Sequence, residues 1–272
     1  MKIDIYYFSG TGNTAWVVRH LAEHLTEMGD EVVVASCENL SIADVDPTAC
    51  EVMGVAFPVY GSLAPPIFRD FMARLPSVTK KPLFAVTTAG YAAGDTGWYA
   101  VRSLRAKGYE PFLIDNVVVA NNLYIPPVDV LPVTPPEKMA RKLAQAEKKI
   151  AKLAGLIHHR KRHVRGADPL GLLMGITQRL GMKYLEPAMV KWLSVDETCT
   201  RCGWCVDHCP AHNIEMTDGG VAFLDRCMMC MRCYSFCPAQ AIQATEKTRD
   251  TKRYRRYGGP EDKPYPPTDV IL

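Results

Sequence analysis

The sequence predicts an α/β chain in which a doubly wound, five-stranded parallel sheet precedes a small α+β domain rich in cysteine. Three observations carry this expectation. Apolar runs alternate with helical periodicity through about residue 160. A strand at Ile3 to Phe8 passes through a Gly/Ser/Thr loop directly into a helix, and eight of the ten cysteines fall between 199 and 237. At 272 residues and 48% hydrophobic content the chain is long enough for two packed cores.

The first strand runs into Ser9-Gly10-Thr11-Gly12-Asn13-Thr14, and Val17, Val18, Leu21 and Leu25 then share one helical face. Further apolar runs at Glu31 to Ala35, Glu51 to Phe57, Pro82 to Thr88 and Pro111 to Ala120 complete five strands separated by helical stretches. Short βαβ connections of this kind build a parallel sheet, and ligands bind outside the carboxyl ends of its strands at the point where the strand order reverses. The loops after strands one, three and four are therefore expected to meet.

The first of those loops has the chemistry of a phosphate cradle. Its glycines let successive N–H groups face inward, the following helix N-terminus adds partial positive charge, and hydroxyls with an Asn amide complete the donor set. It contains no lysine and is neither G-x4-G-K-[ST] nor G-x-G-x-x-G, which disfavours a nucleotide triphosphatase and a dinucleotide site. A turn of these residues without a ligand is the plain alternative.

The cysteines supply the most specific signal. Shifting the sequence by 28 residues places Cys199, Cys202, Cys205, Cys209, Pro210, Ala211 and Ile214 on Cys227, Cys230, Cys233, Cys237, Pro238, Ala239 and Ile242. Each half reads C-x2-C-x2-C-x3-C-P, the run of bacterial two-cluster ferredoxins, in which three thiolates hold one iron–sulfur cluster and the fourth reaches the other. Two [4Fe-4S] clusters are expected, cluster I on Cys199, Cys202, Cys205 and Cys237, and cluster II on Cys227, Cys230, Cys233 and Cys209. Structural zinc is the alternative, since C-x2-C pairs also serve tetrahedral zinc. Ile214 and Ile242 are expected in the apolar shell of the clusters, with simple core packing an equally good description. Cys37 and Cys50 fall outside the motif and read as small buried hydrophobes with no redox role.

The loop pattern Ser9-x-Thr11-Gly12-x-Thr14 resembles the FMN-phosphate loop of flavodoxins, and the whole chain resembles the flavodoxin–ferredoxin fusion proteins. The resemblance implies a flavodoxin-like domain over 1–165, a helical linker over 166–194, a two-cluster ferredoxin domain over 195–246 and a basic, proline-rich tail over 247–272. It implies FMN as a further cofactor, with Ser9 to Thr14 at the phosphate. Pro58, Val59, Tyr60 and Gly61 would flank the ring on one side, and Thr88, Ala89, Gly90 and Tyr91 on the other, with Tyr60 and Tyr91 stacking on it. A tyrosine exposed in a loop with no such role is the plain reading of either.

Between the domains, Met139, Leu143, Ala146, Ile150, Leu153 and Ile157 mark a long amphipathic helix, expected to be the last of the first domain. Its end, His158-His159-Arg160-Lys161-Arg162-His163, reads as a solvated helix end, with metal or acidic-partner binding as alternatives. Residues 168 to 193 read as short apolar helical pieces bridging the domains, with a membrane-surface or partner contact through Leu170, Leu172, Leu173 and Met174 as an alternative. The tail reads as a docking surface for an acidic redox partner or a disordered end.

A net charge of +3 from 32 basic and 29 acidic residues does not make nucleic acid or membrane binding the main business of the chain. The start lacks the features of a secretory signal, the longest apolar stretch is about half a membrane span, and a cytoplasmic location is expected. The function expected is electron transfer between the clusters and FMN, linking one-electron and two-electron carriers. The competing readings are an FMN-dependent reductase of an organic substrate or quinone and a zinc-stabilised binding module. No catalytic acid stands out near Tyr60 or Tyr91.

Overall fold

The computed structural model describes residues 1–261 and 265. In chain order the first part contains β1 (Lys2–Tyr7), α1 (Asn13–Glu27), β2 (Glu31–Ser36), β3 (Val52–Pro58), α2 (Pro66–Arg74), β4 (Lys81–Ala89), α3 (Thr96–Ala100), α4 (Arg102–Arg105), β5 (Tyr109–Val118), α5 (Pro136–His158), β6 (His163–Val164) and α6 (Pro169–Met189). The strands pair in parallel in the order β2-β1-β3-β4-β5-β6. The first five follow the 2-1-3-4-5 order of flavodoxin-like doubly wound sheets, whose switch point lies between β1 and β3.

Alternation along the strands divides the core. Ile3, Ile5 and Tyr7 of β1 pack with Val17, Leu21 and Leu25 of α1 and Ile150, Leu153 and Ile157 of α5. Tyr6 and Phe8 face the other layer, with Phe68 and Phe71 of α2 and Leu104 of α4. The period of two in β1 and of three to four in α1 thus bury complementary faces. Cys37 and Cys50 are buried in that second layer.

The sheet has six strands where the sequence pattern showed five. β6 is two residues long and carries no apolar run. It is drawn to the edge of β5 by the buried carboxylate of Asp115, which pairs with His163 Nε2 at 2.8 Å and with Lys149. In the basic stretch 158–163, residues 159–162 are exposed, as a solvated helix end requires, while His158 and His163 are half-buried. His158 Nδ1 lies 2.9 Å from Asp30, and Arg160 lies 2.9 Å from Glu51.

Two further expectations are corrected. The linker is one 21-residue helix, α6, capped at its start by Asp168, whose side chain accepts from Gly171 N at 2.9 Å. The apolar content suggested broken pieces, but Arg179 paired to Asp95 at 2.5 and 2.8 Å and Glu186 paired to Arg69 at 2.7 Å hold the helix to the first domain along its length. The tail, over its described residues, folds back over the molecule. Tyr254 and Tyr257 are buried, Tyr254 donates to Asp129 at 3.1 Å, and Arg19 bonds Glu261 at 2.9 Å. Residues 262–264 and 266–272 of the expected tail lie outside the described residues.

The second part contains β7 (Ser194–Val195), α7 (Trp204–Asp207), β8 (Ile214–Thr217), β9 (Gly220–Phe223), α8 (Arg232–Phe236) and β10 (Ile242–Gln243), with β7 paired to β10 and β8 to β9. The sequence repeat is also a backbone repeat. Arg201, Gly203 and His212 have positive φ, and so do Met229, Met231 and Gln240, each 28 residues later. Non-glycine residues rarely hold this conformation, and two methionines adopting it in one loop mark a backbone shaped for a ligand.

Candidate functional site

The carboxyl ends of β1, β3, β4 and β5 meet around one small cavity. Ser9, Gly10, Thr11, Asn13, Thr14, Pro58, Val59, Tyr60, Thr88, Ala89 and Gly90 line it, as the order of elements predicted. Ala120 and Asn122, which sequence reasoning passed over, line it too. The Asn doublet just after the fifth apolar run was the available signal. Three predicted residues lie apart from the cavity. Gly12 is covered by the tail at Pro260 and Tyr265, Gly61 packs against Met182, and Tyr91 turns outward with the Lys142 ammonium 5.1 Å from its ring centre.

Hydroxyls and amides knit the loops together. Thr14 and Thr88 share a hydrogen bond of 2.7 Å, Asn122 donates to Thr11 at 2.6 Å, and Gly12 N donates to Ser9 Oγ at 3.1 Å. Asn13 donates to Ala120 O at 3.3 Å while its oxygen accepts from Tyr257 at 2.5 Å. The first-turn N–H groups of α1 have no partner within their own helix and open at the same place. These donors, with no acidic side chain in the loop, fit a phosphate. The cavity measures about 50 Å³, far below the several hundred Å³ of sites that enclose a drug-sized ligand. It suits the phosphate end of a flavin nucleotide. Burial raises the Tyr60 phenol well above its ordinary pKa, so it stays protonated.

The cysteines gather in two groups. Cys199, Cys202, Cys205 and Cys237 surround one small cavity with Trp204, Pro238 and Ile242. Cys209 lies with the other group, where its charge acts on Cys227, Cys230 and Cys233. The structure thus brings each fourth cysteine to the opposite trio. Backbone N–H groups of Asn213 and Ala241 donate to the sulfurs of Cys209 and Cys237, both at 3.3 Å and again 28 residues apart. Burial pushes the Cys205 thiol up to about 11 and the Cys230 thiol up to about 12. Metal binding must therefore displace protons from these sites.

An orphaned cation shows that the second domain fits an anionic centre. Arg256 is buried, its Nη2 donates to Ile242 O at 2.9 Å, and its guanidinium lies 3.5 Å from the Tyr234 ring centre. Its Nε and Nη1, like the hydroxyls of Tyr234 and Ser235, have no hydrogen-bond partner among the described residues. Burial lowers its pKa to about 10, with Asp196 and Cys233 acting in the opposite direction. An iron–sulfur cluster with four thiolates carries net negative charge and would offset such a buried cation.

The two sites are joined by Arg232, which lies between Cys230 and Cys233. It is 1% exposed. Its Nε donates to Gly10 O at 3.0 Å and its Nη2 to Ser9 O at 2.7 Å, reaching the phosphate loop. Both terminal nitrogens bind Glu38 at 2.8 Å, and Nη1 also donates to His208 O at 3.0 Å. A Cβ on Gly10 would stand 2.6 Å from Cys230 O and 2.9 Å from the Tyr60 hydroxyl. The loop of the second cysteine trio is therefore in van der Waals contact with the cradle. Neither Arg232 nor Glu38 carries a linear signal, since they are 194 residues apart.

Comparison with known proteins agrees with this division. Residues 191–238 match the family model of a 4Fe-4S dicluster domain. No curated protein matches the chain in sequence. Among solved structures, an archaeal flavodoxin is 15% identical over 58% of this chain and 100% of its own, with a TM-score of 0.40. Flavodoxin 2 from Bacillus cereus is 16% identical over 59% and 99%, with a TM-score of 0.43. The Megasphaera elsdenii flavodoxin is 20% identical over 54% and 98%, with a TM-score of 0.38. At these scores the likenesses decide nothing, and the flavodoxin-like fold rests on the strand order of the sheet. The chain joins that fold to a 4Fe-4S dicluster domain, a combination that supports an electron-transfer role.

Proposed function

We propose that this chain passes electrons between two [4Fe-4S] clusters and an FMN held in the cradle after β1, linking one-electron donors to a two-electron carrier. The observation that carries the reading is the direct contact of the Cys230–Cys233 loop with the phosphate loop through Arg232, Cys230 O and Gly10. When bound, clusters exchange electrons singly and flavin singly or in pairs. Ser9 to Thr14 with the α1 N-terminus would hold the phosphate, and Pro58 to Tyr60 with Thr88 to Gly90 would border the ring. Cys227, Cys230, Cys233 and Cys209 would ligate the cluster nearer the flavin. Cys199, Cys202, Cys205 and Cys237 would ligate the outer one. In this reading residues 1–165 form the flavin domain, 166–194 its clamping helix, 195–246 the cluster domain, and the tail a strap across both.

The protein's part is positioning and electrostatics. Arg232 holds the inner loop against the cradle, and Arg256 places positive charge beside the clusters, which favours their reduced forms. Anaerobic purification with iron, sulfide and flavin quantified is the direct test. The expected result is about eight irons, about eight sulfides and about one FMN per chain. A colourless protein holding zinc and no flavin would overturn it.

A second reading, reduction of an organic anion, is favoured by a cleft of about 570 Å³ behind Tyr91 that Lys142, Lys149 and Arg165 line. Its size suits a small molecule, and it shares the β4 loop with the cradle. Perturbation of the flavin absorbance by an added organic anion would support it.

A further inference from the structure

We propose that the outer face of α6 seats the protein on an anionic lipid surface. The helix has its amphipathicity reversed. Its inner side packs Met174 and Met182 on the first domain and is pinned by polar contacts, with Arg179 on Asp95, Gln178 accepting from Ser62 at 2.8 Å, Glu186 on Arg69, and Gly175 packed so closely on Asp95 that a Cβ would stand 1.8 Å from its carboxylate. Its outer side is apolar. Leu170 is 76% exposed, Leu173 60%, Ile176 52%, Leu180 62% and Tyr184 77%. These positions recur at three- and four-residue steps and form one stripe about 21 Å long. Single exposed leucines are ordinary, whereas a continuous stripe of this length on a helix fixed to a folded domain marks a contact surface.

Charge around the stripe selects the occupant. Lys183 on the helix and Lys191 beyond it are exposed and have no ion-pair partner among the described residues, whereas Arg165 before the helix lies 3.9 Å from Asp115. Of the acids at the helix, Glu186 is paired with Arg69, and Asp168 at the start of the helix accepts from Gly171 N. An apolar stripe rimmed by uncompensated cations is the pattern of a helix lying in the membrane interface, where anionic headgroups meet the cations and acyl chains meet the leucines. Among the described residues no helix is long and apolar enough to cross a membrane, so the contact is superficial. The stripe ends at Leu170, which lines the same cleft as Tyr91, so docking would carry the flavin-domain loop to the lipid surface.

The test is flotation of the full, anaerobically purified chain with mixed phosphatidylglycerol–phosphatidylcholine vesicles and with pure phosphatidylcholine vesicles. The chain should float with the anionic vesicles, and Leu173→Asp/Leu180→Asp should abolish flotation while cluster absorbance and far-ultraviolet circular dichroism stay unchanged. Lys183→Ala and Lys191→Ala should each weaken binding about fivefold. No flotation with either vesicle, equal flotation with both, or flotation indifferent to the double variant overturns the proposal. So does light scattering that shows a dimer lost in that variant while vesicles fail to bind, which would assign the face to a second copy.

Discussion

Arg232 and Glu38 offer the most demanding test of how the two sites are coupled. Arg232 makes five hydrogen bonds, two to Glu38 and three to the carbonyls of Ser9, Gly10 and His208. The Glu38 side chain is 5% exposed. Glu38→Leu leaves a buried guanidinium without its counter-charge, and Arg232→Met leaves a buried carboxylate and three carbonyls without donors. Breaking a buried pair from one side costs about 3–5 kcal/mol, a large part of the roughly 5–15 kcal/mol that stabilises a domain. The double variant Arg232→Met/Glu38→Leu removes both charges, so its cost should fall well below the sum of the singles, with a coupling of about 2–4 kcal/mol. Urea unfolding followed by circular dichroism gives the stabilities. Stopped-flow reduction gives the second readout, because in the double variant the flavin should bleach more slowly while both clusters keep their spectra. Additive singles would refute the pair as a buried ionic clamp, and unchanged flavin bleaching in a folded double variant would refute its role in positioning the inner loop.

Four further outcomes follow from the same geometry. Cys209→Ala should chiefly damage the cluster held by Cys227, Cys230 and Cys233; electron paramagnetic resonance showing loss only of the cluster on Cys199, Cys202 and Cys205 would contradict the exchanged ligands. Gly10→Ala should force Cys230 and Tyr60 off the cradle at a cost of about 1–3 kcal/mol, seen as a lower unfolding midpoint and weaker FMN retention. Arg256→Leu should lower the cluster potentials in a redox titration, since it removes a buried positive charge with two unpartnered nitrogens. Asp30 is buried, which raises its pKa, but its bonds to the Met1 amine at 2.7 Å and to His158 at 2.9 Å outweigh this and hold it below the ordinary 3.8. Its contribution is thus complete above that value and lost as pH falls through the lower folded-state value. Circular dichroism melts of Asp30→Asn should show a flatter acid limb than the parent.

Much of the molecule is written locally. The strand–loop–helix from Ile3 to Leu25, the alternation of runs that makes a parallel sheet, and the repeated cysteine spacing each depend on neighbours within a few residues. The 28-residue repeat carried through even to matching positive-φ positions, because the same short loop must present three thiolates twice. Tyr91 was legible as an aromatic after β4 but not in its direction, in which its ring meets Lys142 of α5, 51 residues away. The sixth strand has no periodicity of its own, since a buried Asp115 and not an apolar pattern holds it. The burial of the tail was likewise hidden. Its cations and prolines read as solvated, whereas the packed tyrosines, the bond from Tyr257 to Asn13 and those of Tyr254 and Arg256 draw it inward.

The sequence by itself determined the class of the fold and the repeated cysteine spacing of a 4Fe-4S dicluster domain, because strand periodicity and thiolate spacing are short-range properties of the chain. Only the tertiary structure decided which cluster loop faces the cradle, that a buried Arg232–Glu38 pair clamps them together, and that α6 turns its apolar side outward. Those depend on charges and surfaces brought together from distant segments, and no local pattern encodes which distant partner a buried charge will find.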